Sequence, residues 1–243
     1  MQGSQFHYSV LLGCFLCLAD GSAVGAQSAD QSTSGAAVVQ RFLARPDEPL
    51  TRYRALRRLE ARNSRFDVEG WLEAWTELTP DGRFKYEIVR EGGSDYIRSK
   101  VLKPLLENEA RMFASGEAAR SALTAENYEL RCAESGEPGL AKLEVTPKRH
   151  EVSLIEGALY VKDLDADLVR LEGRLSKNPS FWTKRVDVVK HYSRLQGIRV
   201  PVRVDSVAQM RLAGTATLSM TYEYEMINGI DMAPVNAIAS RLR

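Results

Sequence analysis

EVSLIEGALYVKDLDADLVRLEGRL at 151–175 and GTATLSMTYEYEM at 214–226 bracket a stretch of chain in which apolar and polar residues alternate with no helix-period segment between them. Successive side chains of a strand point to opposite faces, so this alternation predicts strands buried on one side. Turn residues divide the stretch into expected strands at 151–162, 167–176, 183–195, 199–208 and 214–226, separated by Asp-rich, Asn-Pro, Gln-Gly and Ala-Gly turns. Connections this short force antiparallel pairing. Val186, Val188 and Tyr192 fall opposite Asp187, Val189 and His191, and Leu218, Met220, Tyr222 and Tyr224 opposite Thr217, Ser219, Thr221 and Glu223.

Working outward, the clearest hairpin lies at 66–91. Phe66, Val68, Leu72, Ala74 and Leu78 share one face, Asp67, Glu69, Glu73 and Glu77 the other, and Pro80-Asp81-Gly82 turns the chain into a return strand carrying Phe84, Tyr86 and Ile88. Trp71 and Trp75 share the acidic face, which predicts that this face is partly covered too. In TRYRALRRLEARN before it, Arg54, Arg57, Arg58 and Arg62 suit a helix face or the exposed side of a strand, and the neighbouring hairpin favours strand. GAAVVQRFLARP predicts a short helix ended by Pro46. A short strand is expected around Tyr96 and Ile97, then a helix starting near Pro104, because proline is tolerated in a first helical turn. Leu102, Leu105, Leu106, Met112 and Phe113 form its stripe, interrupted by one acid, Glu109, and EAARSAL reads as a second short helix. Asn127–Arg131 and LAKLEVTPKR are further strands.

The fold class that follows is α+β: a long curled antiparallel sheet, an open half-barrel, with an N-terminal helix and a helical lid inserted mid-chain. Residues 1–26 read as a signal peptide, since Phe6–Ala19 is largely apolar and Val24 and Ala26 stand where a signal peptidase prefers small residues. No Lys or Arg precedes that run. Asp20 interrupts it too early for a membrane span, and Leu11-Leu12-Gly13-Cys14 keeps open a lipid-anchored form through Cys14. The expected organisation is a flexible leader at 27–34, one domain at 35–230 with the helical insertion at about 102–124, and a tail at 231–243. Cleavage after Ala26 leaves Cys132 as the sole cysteine, so no internal disulfide is expected, and Cys132 itself is expected as a buried, inert thiol.

Charge is balanced, 33 Lys and Arg against 32 Asp and Glu, which gives no basis for a nucleic-acid partner. Asp163, Asp165 and Asp167 match the first positions of a calcium loop, but Leu168 stands where glycine is required and Arg174 where glutamate is, so an Asp-rich hairpin turn is the better reading. His150 and His191 lack short-spaced metal-ligating neighbours, and no metal or cofactor is expected. No G-x-S-x-G, phosphate-binding glycine loop or H-E-x-x-H occurs, so an enzyme is not the expectation. For Phe181-Trp182, core packing is the default and ligand contact the sharper alternative.

The order of elements, together with the hairpin FDVEGWLEAWTELTPDGRFKYEIV, the phrase NYELR at Asn127 and LVRLEGRLSKNPSFWTKRVDVVKHYSRLQGIRVPVRV, resembles the outer-membrane lipoprotein-sorting proteins, the LolA and LolB-like half-barrels. The resemblance covers most of 40–228 as a strand pattern. It implies a noncatalytic, monomeric periplasmic carrier holding lipid or lipoprotein acyl chains between sheet and lid. Cavity candidates are Phe66, Val68, Leu72, Phe84, Tyr86, Ile88, Leu218, Met220 and Tyr222, and lid candidates Leu102, Leu105, Leu106, Met112 and Phe113. The alternative is an interaction or sensor module of the same fold, binding another envelope protein without a transported lipid. An outer-membrane barrel is disfavoured by the helical insertion and by charges on both faces of several strands.

Overall fold

In a computed structural model, residues 30–45 and 48–232 are described; the expected signal segment, Cys14 and most of the expected tail lie outside them. Helix α1 (Asp30–Ala44) begins inside the stretch read as a flexible leader, whose small polar residues carry no core-facing period by which sequence reveals a helix. Strands β1 (Tyr53–Asn63), β2 (Val68–Leu78) and β3 (Phe84–Gly93) follow. Next come α2 (Asp95–Ile97), a π-helical turn (Arg98–Leu102), α3 (Lys103–Ser115) and a 3₁₀ turn (Glu117–Ser121). Strands β4 (Tyr128–Ala133), β5 (Leu140–Pro147), β6 (Ile155–Lys162), β7 (Leu168–Leu175), β8 (Thr183–Leu195), β9 (Ile198–Met210), β10 (Gly214–Ile227) and β11 (Ile230–Asp231) complete the chain.

All strands join one antiparallel sheet in the order β3-β2-β1-β10-β9-β8-β7-β6-β5-β4, with β11 beside β10. The first hairpin and the long C-terminal strand series are thus one wall, joined where β1 pairs with β10. Register shifts at Arg54/Ala55, Glu73/Ala74, Tyr160/Val161 and twice in the β8–β9 pair add local twist, which bends a sheet without closing it. The result is an open half-barrel with edges at β3 and β4.

One face of this wall carries the core, drawing Leu59, Leu72, Leu143, Leu159, Leu171, Val200 and Met220 from seven strands. The other face of β1–β3 is covered by arginines. Arg54 lies 4.6 Å over the Trp75 ring and Arg58 4.8 Å over Trp71, while Arg58 and Arg90 hold Glu73 at 3.0 and 2.5 Å. That accounts for two tryptophans on an acidic face.

Several local expectations are corrected. Tyr96 and Ile97 are helical, because the helix starts at Asp95 and runs on to Ser115. Pro104 is therefore internal to a continuous rod. A proline lacks the N–H and crowds the preceding turn; here that turn widens to a π arrangement in which the Lys103 N–H bonds to the Arg98 carbonyl. EAARSAL forms only a 3₁₀ turn, following Gly116, which ends α3 in the left-handed conformation at φ 72°. Phe66 stands in the β1–β2 turn, with the strand starting at Val68. Asn228-Gly229, with φ 48° and 85°, makes a two-residue hairpin into β11, placing Ile230–Asp231 in the sheet. Cys132 is exposed: it lies on an edge strand and meets α1 at Gly35, which has no side chain to cover it. The Asp-rich run is a hairpin turn in which the Asp167 N–H donates to Asp165 at 3.1 Å and Arg194 holds Asp167 at 2.7 Å.

Gly157 and Gly173 oppose each other across β6 and β7. A Cβ on Gly157 would lie 2.0 Å from the Glu172 carbonyl oxygen and 2.5 Å from the Gly173 Cα. Gly157→Ala is expected to destabilise the fold by about 1–3 kcal/mol through backbone overpacking, read as a lowered urea midpoint with an unchanged slope.

Candidate functional site

The inner face of β1 reads Tyr53, Ala55, Arg57, Leu59 and Ala61, so Arg57 points into the core, against the expectation that it shares the exposed side with Arg54, Arg58 and Arg62. Arg57 is fully buried, and so is its partner Glu109 on α3. The pairing is bidentate: Nη1 donates to Oε2 at 2.6 Å and Nη2 to Oε1 at 3.0 Å, and Nη2 also donates to the Tyr53 hydroxyl. Arg57 stands 4.6 Å from the Tyr222 ring, 5.3 Å from Phe84 and 5.8 Å from Tyr53. Burial works against the charged guanidinium, yet the Glu109 carboxylate and the Tyr53 and Tyr222 hydroxyls hold its pKa well above the ordinary value. The acid that interrupts the apolar stripe of α3 is thus the counter-ion for the one arginine of β1 that faces inward, and together they fix α3 over β1.

Beside this pinned half of the rod lies a cavity of about 470 Å³. Its floor comprises Ala61 and Asn63 of β1, Val68 of β2, Val186 of β8, Ser206, Ala208 and Met210 of β9, and Ala216 and Leu218 of β10. Its cover is Ile97, Val101 and Leu105, spaced by four along the rod, and Phe66, Tyr96 and Pro179 stand on its margin. The space exists because Ala61, Ala208, Ala216 and Ser206 present small groups where neighbouring positions of the same strands carry Leu59, Val204 and Met220. Such a volume, with mainly apolar walls and a few polar groups, is within the range of small-molecule sites.

The expected cavity residues divide. Phe66, Val68 and Leu218 line the space, whereas Leu72 and Met220 are fully buried in the core. Phe84 stacks on Phe113 of α3 at 5.7 Å, with Tyr86 beside it; Ile88 packs partly buried on the same edge strand, and Tyr222 faces Arg57. Of the expected lid, Leu105 reaches the cavity, Leu102 and Leu106 are core, and Met112 borders a polar cleft with His150 and Lys177. The cover lies further toward the N-terminus than 102–124, because the helix begins at Asp95. Glu91 ties this part of the rod to β3 through Arg98 at 2.9 Å and Lys103 at 3.0 Å, and Lys103 foremost, with Arg98, holds its carboxyl below the usual range. Phe181 is exposed, against the expectation of core packing; it meets Trp182 edge-on, and Arg211 lies 5.0 Å over its ring.

Among the described residues no group of three or more His, Cys, Asp or Glu could hold a metal ion, and no helix is long and apolar enough to cross a membrane. No protein-family model and no curated protein matches the sequence. Solved structures similar in fold include a LolA superfamily protein from Nitrosomonas europaea, at 9% identity and TM-score 0.43 over 82% of this chain and 95% of that one. A structure described as an outer membrane lipoprotein-sorting domain, from Vibrio parahaemolyticus, is 10% identical with TM-score 0.42 over 87% and 98%. A DUF1329 family protein from Desulfovibrio piger gives 8% and 0.37 over 80% and 92%. Overlaps this loose carry no weight for function.

Removing one partner of a buried ion pair strands a charge in the core, at about 3–5 kcal/mol, whereas exchanging both for apolar groups of similar volume is far milder. Glu109→Ala is therefore expected to lower unfolding stability by about that amount, and the double variant Arg57→Met, Glu109→Leu to recover most of it, measured by urea denaturation.

Proposed function

We propose that the chain is a noncatalytic carrier of the cell envelope that holds an acyl chain of a lipid or lipoprotein in the cavity beneath Ile97, Val101 and Leu105. The observation that carries this reading is an apolar space left by small residues on the inner face of a sheet whose core is otherwise tightly filled. Each methylene moved from water into such a space contributes about 0.8 kcal/mol. A chain of ten or so buried methylenes is thus held without any strong polar contact, consistent with the near absence of charge in the walls.

The cover supports a division of labour. Glu109 anchors α3 to β1 deep in the core, while the part over the cavity includes the π turn and is tied to β3 by partly buried ion pairs at Glu91. Entry and release would then involve the segment Asp95–Leu102, with α3 staying in place. The periplasm as site of action rests on the signal-like segment 1–26 and remains part of the proposal.

A fluorescent fatty acid such as cis-parinaric acid is expected to bind the purified protein with increased emission. Ala208→Trp, which fills the floor, is expected to weaken that binding at least tenfold while the circular dichroism spectrum is retained. Equal binding by the variant, or none by the original protein, would contradict the reading; absence of binding together with co-purification of a stoichiometric protein partner would favour an interaction module.

A further inference from the structure

Three separate connections meet at the cavity margin and turn large apolar groups outward. The β1–β2 turn presents Phe66, 60% exposed; the β9–β10 turn Leu212, 65%; and the β7–β8 loop Phe181, 76%. They form one rim. Asn63 Nδ2 donates to the Ala213 carbonyl at 3.0 Å and the Ser64 N–H to the Thr215 carbonyl at 3.0 Å, joining the first two. Arg211 Nε donates to the Phe181 carbonyl and the Arg211 N–H to the Trp182 carbonyl, each at 2.8 Å, joining the second to the third. Phe66, Pro179 and Ala213 belong at once to this rim and to the cavity lining.

Bases outnumber acids around the rim. Arg65, whose Cβ lies against Gly214, together with Arg211 and Lys184, forms no ion pair among the described residues. The nearby acids are already committed, Asp67 to Arg62 at 2.8 Å and Asp95 to Arg98 at 3.4 Å. Exposed aromatic and aliphatic side chains beside arginine and lysine that form no ion pair have the composition of a surface that sits at a bilayer interface, with apolar groups at acyl depth and bases among anionic headgroups.

We propose that this rim docks the protein onto an anionic phospholipid bilayer, setting the cavity mouth against the hydrocarbon so that an acyl chain passes between membrane and cavity without crossing water. A partner protein would cover the same apolar groups, but bases without an ion pair on two of the connections, Arg65 and Arg211, and at the start of β8, Lys184, favour a polyanionic surface. This goes beyond the carrier reading, which requires only the cavity.

The test is flotation of the full chain with vesicles of phosphatidylcholine alone and of phosphatidylcholine with about 30% phosphatidylglycerol, whose anionic headgroups give the surface a negative potential. Binding is expected to the anionic vesicles and to fall as salt is raised. Phe181→Ser with Leu212→Ser is expected to reduce it at least tenfold, and Arg65→Gln with Lys184→Gln about 30-fold, roughly fivefold for each base removed. Leu164→Ser serves as control: Leu164 is 91% exposed in the β6–β7 turn, at the opposite end of β7 from Phe181, and its loss is expected to change nothing. Undiminished binding by both rim variants, equal binding to the two vesicle types, or binding to neither would overturn the proposal. If vesicles are not bound while parinaric acid still enters the cavity, docking falls and the carrier reading stands; if both fail, both fall.

Discussion

A guanidinium on the inner face of a sheet has to be paired or the fold loses several kcal/mol, and Arg57 determines much of the architecture for that reason. Its partner is fixed in position by two parallel hydrogen bonds, so α3 is held over β1 at one place and in one orientation. The aromatic rings of Tyr53, Phe84 and Tyr222 fill the rest of the guanidinium's surroundings and tie β1, β3 and β10 to the same point. Everything on the cavity side of this anchor inherits its position from it: the π turn and the stripe Ile97, Val101, Leu105 lie over the small side chains of β9 and β10 because α3 cannot slide.

The cavity is the complement of that anchor. Around Arg57 the inner face is filled by large rings and leucines, and toward the turns at Asn63 and Ala213 it thins to alanine and serine. A sheet that bends through register shifts but does not close leaves this thinner end open at its margin, where Phe66 and Tyr96 stand. Interior and rim then form one continuous apolar path, closed by the Arg57–Glu109 pair at one end and bordered by exposed Phe66 and Tyr96 at the other.

Much of this architecture is legible in the sequence because a period of two is hard to mistake over long strands: the expected strand 183–195 is β8 residue for residue, and the hairpin through Pro80-Asp81-Gly82 pairs as its alternation requires. Grouping Arg57 with Arg54, Arg58 and Arg62 on the exposed side of a strand follows residue type, whereas the period of two puts it with Leu59 and Ala61, where it is buried; Glu109 stands alone in an apolar stripe. Each anomaly is visible separately; that they solve each other is a fact of three dimensions, since 52 residues separate them. Period says which face a residue occupies and nothing about whether that place is filled, which is why Leu72 and Met220 on the correct face prove to be core while Ala208 and Ala216 border the cavity. The helical start at Asp95 was hidden by Pro104, whose usual place in a first turn is overridden by the π turn before it. Asn228-Gly229 is a hairpin signal in the sequence, but the two residues of β11 after it are too few to show a strand period.

The central claim is that the space beneath Ile97, Val101 and Leu105 houses an acyl chain. Native mass spectrometry of the protein purified from envelope extracts, followed by organic extraction of the same sample, tests it most directly. The account predicts a bound mass matching a lipid or acylated species, released on unfolding and recovered in the organic phase. A single unliganded mass, unchanged after incubation with phospholipid or acylated peptide, would contradict it.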